Sequence, residues 1–196
     1  MLFRSQTPNP KPLSLYCVYV SHTQHYNIMI GRLAIQRAHD ILRMNQQITS
    51  KDNSFGNQFL SRMTLVEESE LYSKPESQVL IRMTPAKSMG NLNGTLHGGA
   101  LMTIIDLCTT VAIMSVDRKN RANVSAELST SFLSGGSLTQ DLLILSQVDR
   151  VGRNLAFTQA SLYDSDLKLI ATGKHTKAFL DQTYNFDGEK VTYPKK

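Results

Sequence analysis

The spacing of hydrophobic and polar positions changes several times along the chain, and each change predicts an element. Ile30, Leu33, Ala34, Ala38, Ile41 and Leu42 recur near the helical period, predicting a helix that ends near Asn45. Residues 46–57 are polar and read as a linker. Residues 59–67 and 78–84 read as strands, the second alternating Val79, Ile81 and Met83 against Leu80 and Arg82 before Pro85 closes it. Residues 87–96 read as an irregular loop, with Gly90, Asn91, Asn93 and Gly94 as turn formers. From His97–Gly99 to Val116 nearly every position is apolar or small, which predicts a helix wrapped by the rest of the fold. Period two then takes over. Val124, Ala126, Leu128, Thr130 and Phe132 fall on one face, with Ser125, Glu127, Ser129 and Ser131 on the other. Residues 141–151, 155–163 and 169–179 read as further strands, separated by turns at Gly152 and residues 164–166.

One long buried helix among five or six strands is an α+β layout. Short connections after the helix make the strands antiparallel, and a curved sheet wrapped around the helix is the compact arrangement. The chain of 196 residues is long enough for one domain with a sizeable core, placed at residues 30–181. Residues 1–29 form a leader and residues 182–196 a polar tail. In the leader and first helix, Arg4, Lys11, Arg32 and Arg37 precede the first acid, Asp40, with hydroxyl and amide side chains between. That composition fits a mitochondrial transit segment; Pro8, Pro10 and Pro12 interrupt any early amphipathic helix and leave a basic leader on a cytosolic protein as the alternative.

Composition narrows the function classes. A hydrophobic share of 41% with 19% charged residues is ordinary for a soluble globular domain. The net charge of +5 suits an anionic partner, but no tract is both basic and interleaved with aromatics, so nucleic acid is not expected. No segment approaches the roughly 18 apolar residues of a membrane span. Cys17 and Cys108 give neither a disulfide framework nor zinc spacing, and Cys108 reads as a structural buried thiol. His97 and His175 lack clustered ligands, so neither a metal nor a cofactor is expected.

Asp106 is the position that calls for chemistry. A buried, unpaired carboxylate in an apolar helix costs several kcal/mol or changes protonation, and it persists where a reaction needs it. Gly98 and Gly99 let the backbone approach a ligand at the helix start, where free amides hold developing negative charge. Each has a plainer reading. Asp106 can serve as a bonded structural carboxylate, the glycines as packing residues, His97 as a hydrogen-bonded structural partner and Asn91 as a turn former. Ser125 lies on the polar face of its strand, and Arg150 and Arg153 alone are solvated turn charges.

Four motifs occur in order: Asn91-Leu-Asn-Gly-Thr-Leu-His-Gly-Gly-Ala with Asp106, Val124-Ser-Ala-Glu, Gly152-Arg-Asn-Leu-Ala-Phe-Thr, and Gly173-Lys-His-Thr-Lys. Together they make residues 30–179 resemble the hotdog-fold acyl-CoA thioesterases, including those of phenylacetate pathways. The resemblance implies a hotdog fold and hydrolysis of fatty acyl-CoA to free acid and coenzyme A. It implies that Asp106 acts as base or nucleophile, that the Gly98 N–H polarises the thioester carbonyl, and that Asn91 and Ser125 place substrate and water. His97, Phe132, Ser137, Arg150, Gly152, Arg153, Asn154 and Leu155 match substrate-contacting segments, and the family's usual Pro-Ala-Lys is replaced by Gly135-Gly136-Ser137.

Gly98 and Asp106 are eight positions apart, about 12 Å along a helix. Both must act within roughly 3–4 Å of one thioester carbon or its attacking water. One chain does not readily bring both to one substrate, whereas two chains related by a two-fold axis do. A homodimer is therefore expected, and the resemblance implies a homotetramer. A hotdog dehydratase and a non-catalytic acyl-CoA-binding module are the alternatives. A Gly-x-Ser-x-Gly elbow is absent, which argues against serine-esterase chemistry.

Overall fold

The computed structural model describes residues 28–51, 54–66 and 77–183. The expected leader lies outside them except for its last two positions, as does the tail from residue 184 on. The elements in chain order are α1 (Ile28–Lys51), α2 (Asn57–Leu60), β1 (Met63–Leu65), β2 (Gln78–Met83), a 3-10 turn (Lys87–Met89), α3 (Gly98–Val116), β3 (Arg121–Phe132), β4 (Leu142–Val151), β5 (Leu155–Tyr163) and β6 (Leu169–Thr183).

The six strands form one sheet in the order β1-β2-β4-β5-β6-β3, every neighbouring pair antiparallel. This is the α+β arrangement expected, with the sheet packed on α3. Ile104, Ile105, Cys108, Val111, Ala112 and Ile113 of α3 are fully buried and share a core with Ile81, Met83, Leu142, Ile144, Leu162 and Ile170 of the strands. Gly173 sets how closely helix and sheet approach. A Cβ there would lie 2.9 Å from Ile105 Cγ2 and 3.3 Å from the Ser129 carbonyl, so a larger residue would force the helix outward.

Several expectations are corrected. The helix expected to stop near Asn45 continues to Lys51, and the polar residues after it are anchored rather than loose. Gln46 Nε2 donates to the carbonyls of Leu60 and Met63, and Thr49 Oγ1 donates to Asn45 O. The expected strand at 59–67 is instead the helical turn α2, followed by the three-residue β1. Phe55, in the turn before α2, and Phe59 within it meet at 5.5 Å between ring centroids with their planes tilted by 56°. The loop at 87–96 contains the 3-10 turn. The last strand runs on to Thr183, past the expected start of the tail.

α3 is by length and composition apolar enough to cross a membrane, against the expectation that no segment is. Its packing against α1 and strands β2 to β6 explains that composition without a bilayer.

β3 departs from strict alternation. Ser125 pairs with Lys177, and Glu127 pairs with Thr176, leaving Ala126 as an extra residue in a β-bulge. Beyond the bulge, Leu128 pairs with His175 and Phe132 with Ala171. Directly opposed residues share a sheet face, so Ser125 lies on the same face as Leu128, Thr130 and Phe132. Counting by twos from Phe132 put it on the opposite face.

Candidate active site

Asp106 sits midway along α3, with its side chain 38% exposed rather than fully buried. Nor is it alone. Lys177 Nζ lies 2.8 Å from Oδ1, Ser125 Oγ donates to the same oxygen at 3.1 Å, and His175 Nε2 is 3.7 Å away. Burial alone would raise the carboxyl's pKa. The charge and hydrogen bond of Lys177, with smaller help from His175 and Ser125, outweigh it and hold Asp106 below its ordinary value. Burial and the neighbouring ammonium push His175 down to about 4 despite Asp106, so the imidazole is neutral at pH 7.

The β-bulge explains how Ser125 reaches Asp106. Bulges bend a strand and redirect side chains, and this one falls between the two pairings that place Ser125 beside Lys177. His175 and Lys177 escaped the sequence reading as site residues because charged side chains on a strand read as solvated. The available signal was periodicity. Ala171, Gly173, His175 and Lys177 occupy alternate positions of one strand, and all four are buried. Cys108 is fully buried; burial, with added repulsion from Asp106, pushes its thiol pKa up, which makes it the inert structural cysteine expected.

The start of α3 is finished by the loop before it. His97 is extended and its Nδ1 accepts from Gly99 N–H at 2.9 Å, so the imidazole serves as the helix cap. Among the described residues no acceptor engages the Gly98 N–H. The ring of Phe132 lies over Gly98, where an added Cβ would be 3.4 Å from Cζ. Asn91 uses its whole amide locally. Oδ1 accepts from Asn93 N–H at 2.9 Å and Thr95 N–H at 3.1 Å, while Nδ2 donates to Thr95 Oγ1 at 3.0 Å and Leu96 O at 3.3 Å. Any contact with a thioester has to replace one of these bonds. Ser137 caps its own turn through Thr139 N–H at 3.1 Å, in a segment tied to the same end of α3 by Leu96 N–H donating to Gly136 O at 2.9 Å.

The other coenzyme-contacting candidates lie elsewhere. Arg121 donates to the carbonyls of Arg153 at 2.7 Å and Gly152 at 3.4 Å. It also pairs with Asp117 at 3.0 Å and stacks on Phe179. Asn154 O accepts from Phe179 N–H at 2.8 Å. Arg150, Gly152, Arg153, Asn154 and Leu155 therefore sit at the C-terminal end of α3, whereas Phe132 and Ser137 sit at its N-terminal end. Gly98 and Asp117 are roughly 28 Å apart along the helix axis. One chain does not bring the two segments together.

Residues 93–171 match the Thioesterase superfamily. Human acyl-coenzyme A thioesterase 13 is 34% identical over 119 residues, which span 60% of this chain and 80% of that protein. The zebrafish thioesterase superfamily member 2 structure is 32% identical, with a TM-score of 0.59 over 71% of this chain and 98% of the other. The PaaI protein of the E. coli phenylacetic acid degradation operon shares the fold at 19% identity, with a TM-score of 0.60 over 79% of this chain and 99% of the other. Sequence and architecture agree: the chain is a hotdog-fold member of the thioesterase superfamily and a thioester hydrolase.

Proposed function

We propose that the protein hydrolyses fatty acyl-CoA to free acid and coenzyme A in sites shared between two copies of the chain. The observation that carries this reading is Asp106, an ion-paired and partly exposed carboxylate on a helix whose first amide meets no acceptor among the described residues. As a base, Asp106 takes a proton from water while the water oxygen adds to the thioester carbon. The carbonyl electrons move onto oxygen, held by Gly98 N–H, and return as the C–S bond breaks and the thiolate receives the proton. As a nucleophile, Asp106 attacks the thioester carbon, and the C–S bond breaks to release the thiolate. Water cleaves the mixed anhydride so formed to free acid and the carboxylate, and the proton released by water goes to the thiolate. Ser125 steadies the carboxylate and its water in either route.

Three features support the shared site. Gly98 and Asp106 of one chain are about 12 Å apart along the axis. The two candidate coenzyme-contacting segments lie at opposite ends of α3, and a two-fold axis between antiparallel helices brings one end of each chain to the other. β3 is a twelve-residue edge strand exposed over most of its length, a form that invites pairing with a second copy.

Hydrolysis of acyl-CoAs of graded length, with the free thiol measured, tests the activity. Asp106→Asn should fold normally and lose about 10²- to 10⁴-fold in kcat; unchanged kcat would remove Asp106 from the chemistry. Coexpressing Asp106→Asn with Gly98→Pro tests the sharing. In a mixed dimer one site carries both lesions and the other neither, so random assembly should restore about a quarter of wild-type activity. Recovery no greater than the mean of the two variants would place Gly98 and Asp106 of one chain in one site.

A further inference from the structure

Lys177 and His175 are 5% and 1% exposed on the inward face of β6. An ammonium is rarely buried so far without a partner, because desolvation opposes its charge. Here the partner is the Asp106 carboxylate, and among the described residues its polar side-chain contacts converge on Oδ1: Lys177 at 2.8 Å, Ser125 at 3.1 Å and His175 at 3.7 Å. We propose that Lys177 and His175 are positioning residues that hold Asp106 by Oδ1, so that Oδ2 is the oxygen presented to water or thioester. The proposal rests on the role given to Asp106 above.

The proton positions around His175 follow from its neighbours. Thr109 Oγ1 lies 2.7 Å from His175 Nδ1, 2.7 Å from Ile105 O and 3.1 Å from Asp106 O, and its single proton serves one of them. If it went to either carbonyl, Nδ1 would carry the ring proton and the bare Nε2 lone pair would face a carboxylate. Both would be acceptors, and Nε2 is buried with no other partner. If it goes to Nδ1, Nε2 carries the proton and points a donor at Oδ1. Ile105 O loses little, since it already takes an amide of its own helix. Thr109 therefore selects the tautomer that favours ionised Asp106. At 3.7 Å the Nε2–H acts through its dipole and tightens if the carboxylate shifts inward.

Among the described residues, the charged or titratable groups acting on Asp106 are Lys177 and His175 of β6. β3 contributes the Ser125 hydroxyl, α3 itself the neutral Cys108 thiol, and β5 Thr158, bonded to the His175 carbonyl. Removing Lys177 leaves the burial of Asp106 opposed only by His175 and Ser125, so its pKa rises. Activity that needs the ionised form disappears as pH falls through that pKa, so the acidic limb of the rate profile moves to higher pH.

Lys177→Met should lower kcat about 10- to 100-fold, leave KM for acyl-CoA nearly unchanged and move the acidic limb upward by about one pH unit or more. A wild-type kcat and acidic limb would overturn the proposal. Thr109→Val, nearly isosteric, guards against a fold defect in the lysine variant. It should move the same limb in the same direction by less, and an unmoved limb would overturn the part assigned to His175. Carboxyl-carbon NMR titration of Asp106, assigned by its loss in Asp106→Asn, reads the shift without turnover. If wild type hydrolyses no thioester, the functional reading fails while this titration still decides the Lys177 proposal. An Asp106 pKa equal in wild type and Lys177→Met would defeat it.

Discussion

At its N-terminal end α3 begins under the exposed ring of Phe132, capped by the imidazole of His97, with no acceptor for the Gly98 amide among the described residues. At its C-terminal end Arg37 of α1 donates to Ser115 O at 3.0 Å, Met114 O at 3.3 Å and Asp117 O at 3.0 Å, and to Asn120 Oδ1 at 2.9 Å. Asp117 then accepts from Arg121, whose guanidinium is also bonded to the 152–153 turn. A cation over the last carbonyls matches the negative end of the helix dipole and satisfies groups that the helix cannot bond itself. The closed end fastens the helix to α1 and to the sheet, whereas at the open end His97 holds the Gly99 amide and no acceptor among the described residues engages that of Gly98.

Replacing Gly98 separates the amide from the fold at the open end, with the largest expected effect. Proline is tolerated at a first helical position, and His97, at φ −68° and ψ 139°, already has the conformation favoured before it. Gly98→Pro should thus keep thermal stability while kcat falls about 10²- to 10³-fold. Gly98→Ala, which keeps the N–H and adds a Cβ in ordinary contact with Phe132, should retain most of the activity. Equal losses in both variants would mean that shape, rather than the amide, matters at this position.

The closed end should answer in stability. Arg37→Met leaves several carbonyls without their donor and should cost about 1–3 kcal/mol in denaturant unfolding. kcat should be unchanged at a temperature where the variant is folded. A fall in kcat without a fall in stability would show that the two ends are not independent.

The smallest effect is expected from the turn beside the closed end. Arg150 and Arg153 are exposed, and on the reading proposed above their guanidinia meet the coenzyme phosphates. Replacing both with Ser should raise KM for acyl-CoA several-fold, on the order of 1 kcal/mol in all, with kcat held. The difference should shrink at high salt. A KM that is steady at low ionic strength would place the coenzyme phosphates elsewhere.

Local signals made α3 and most strands legible. A glycine pair marked the helix start, an unbroken apolar surface marked the core helix, and alternation marked β2 and β3. Asp106 stood out because its neighbours in sequence are apolar. Its partners were harder to see, since nothing near it along the chain announces a lysine and a histidine arriving from β6. The short β1 and α2 were obscured because an apolar run such as Phe59-Leu60 suits either conformation. α1 was cut short because Gln46 and Thr49 are polar, and the bonds that keep them in the helix reach carbonyls of a distant turn or of the helix itself.

Ala126 makes counting along the chain a poor ruler of position. The pairings on either side of it, Ser125 with Lys177 and Glu127 with Thr176, are successive on β6. Deleting this one residue would remove the bulge between Ser125 and Glu127 and leave the ladder's other irregularity, between Arg121 and Asn123, in place. What would change is the bend of the strand, and with it the angle at which Ser125 meets Asp106. A one-codon deletion here is therefore a mild event for the sheet and a sharp one for the hydroxyl.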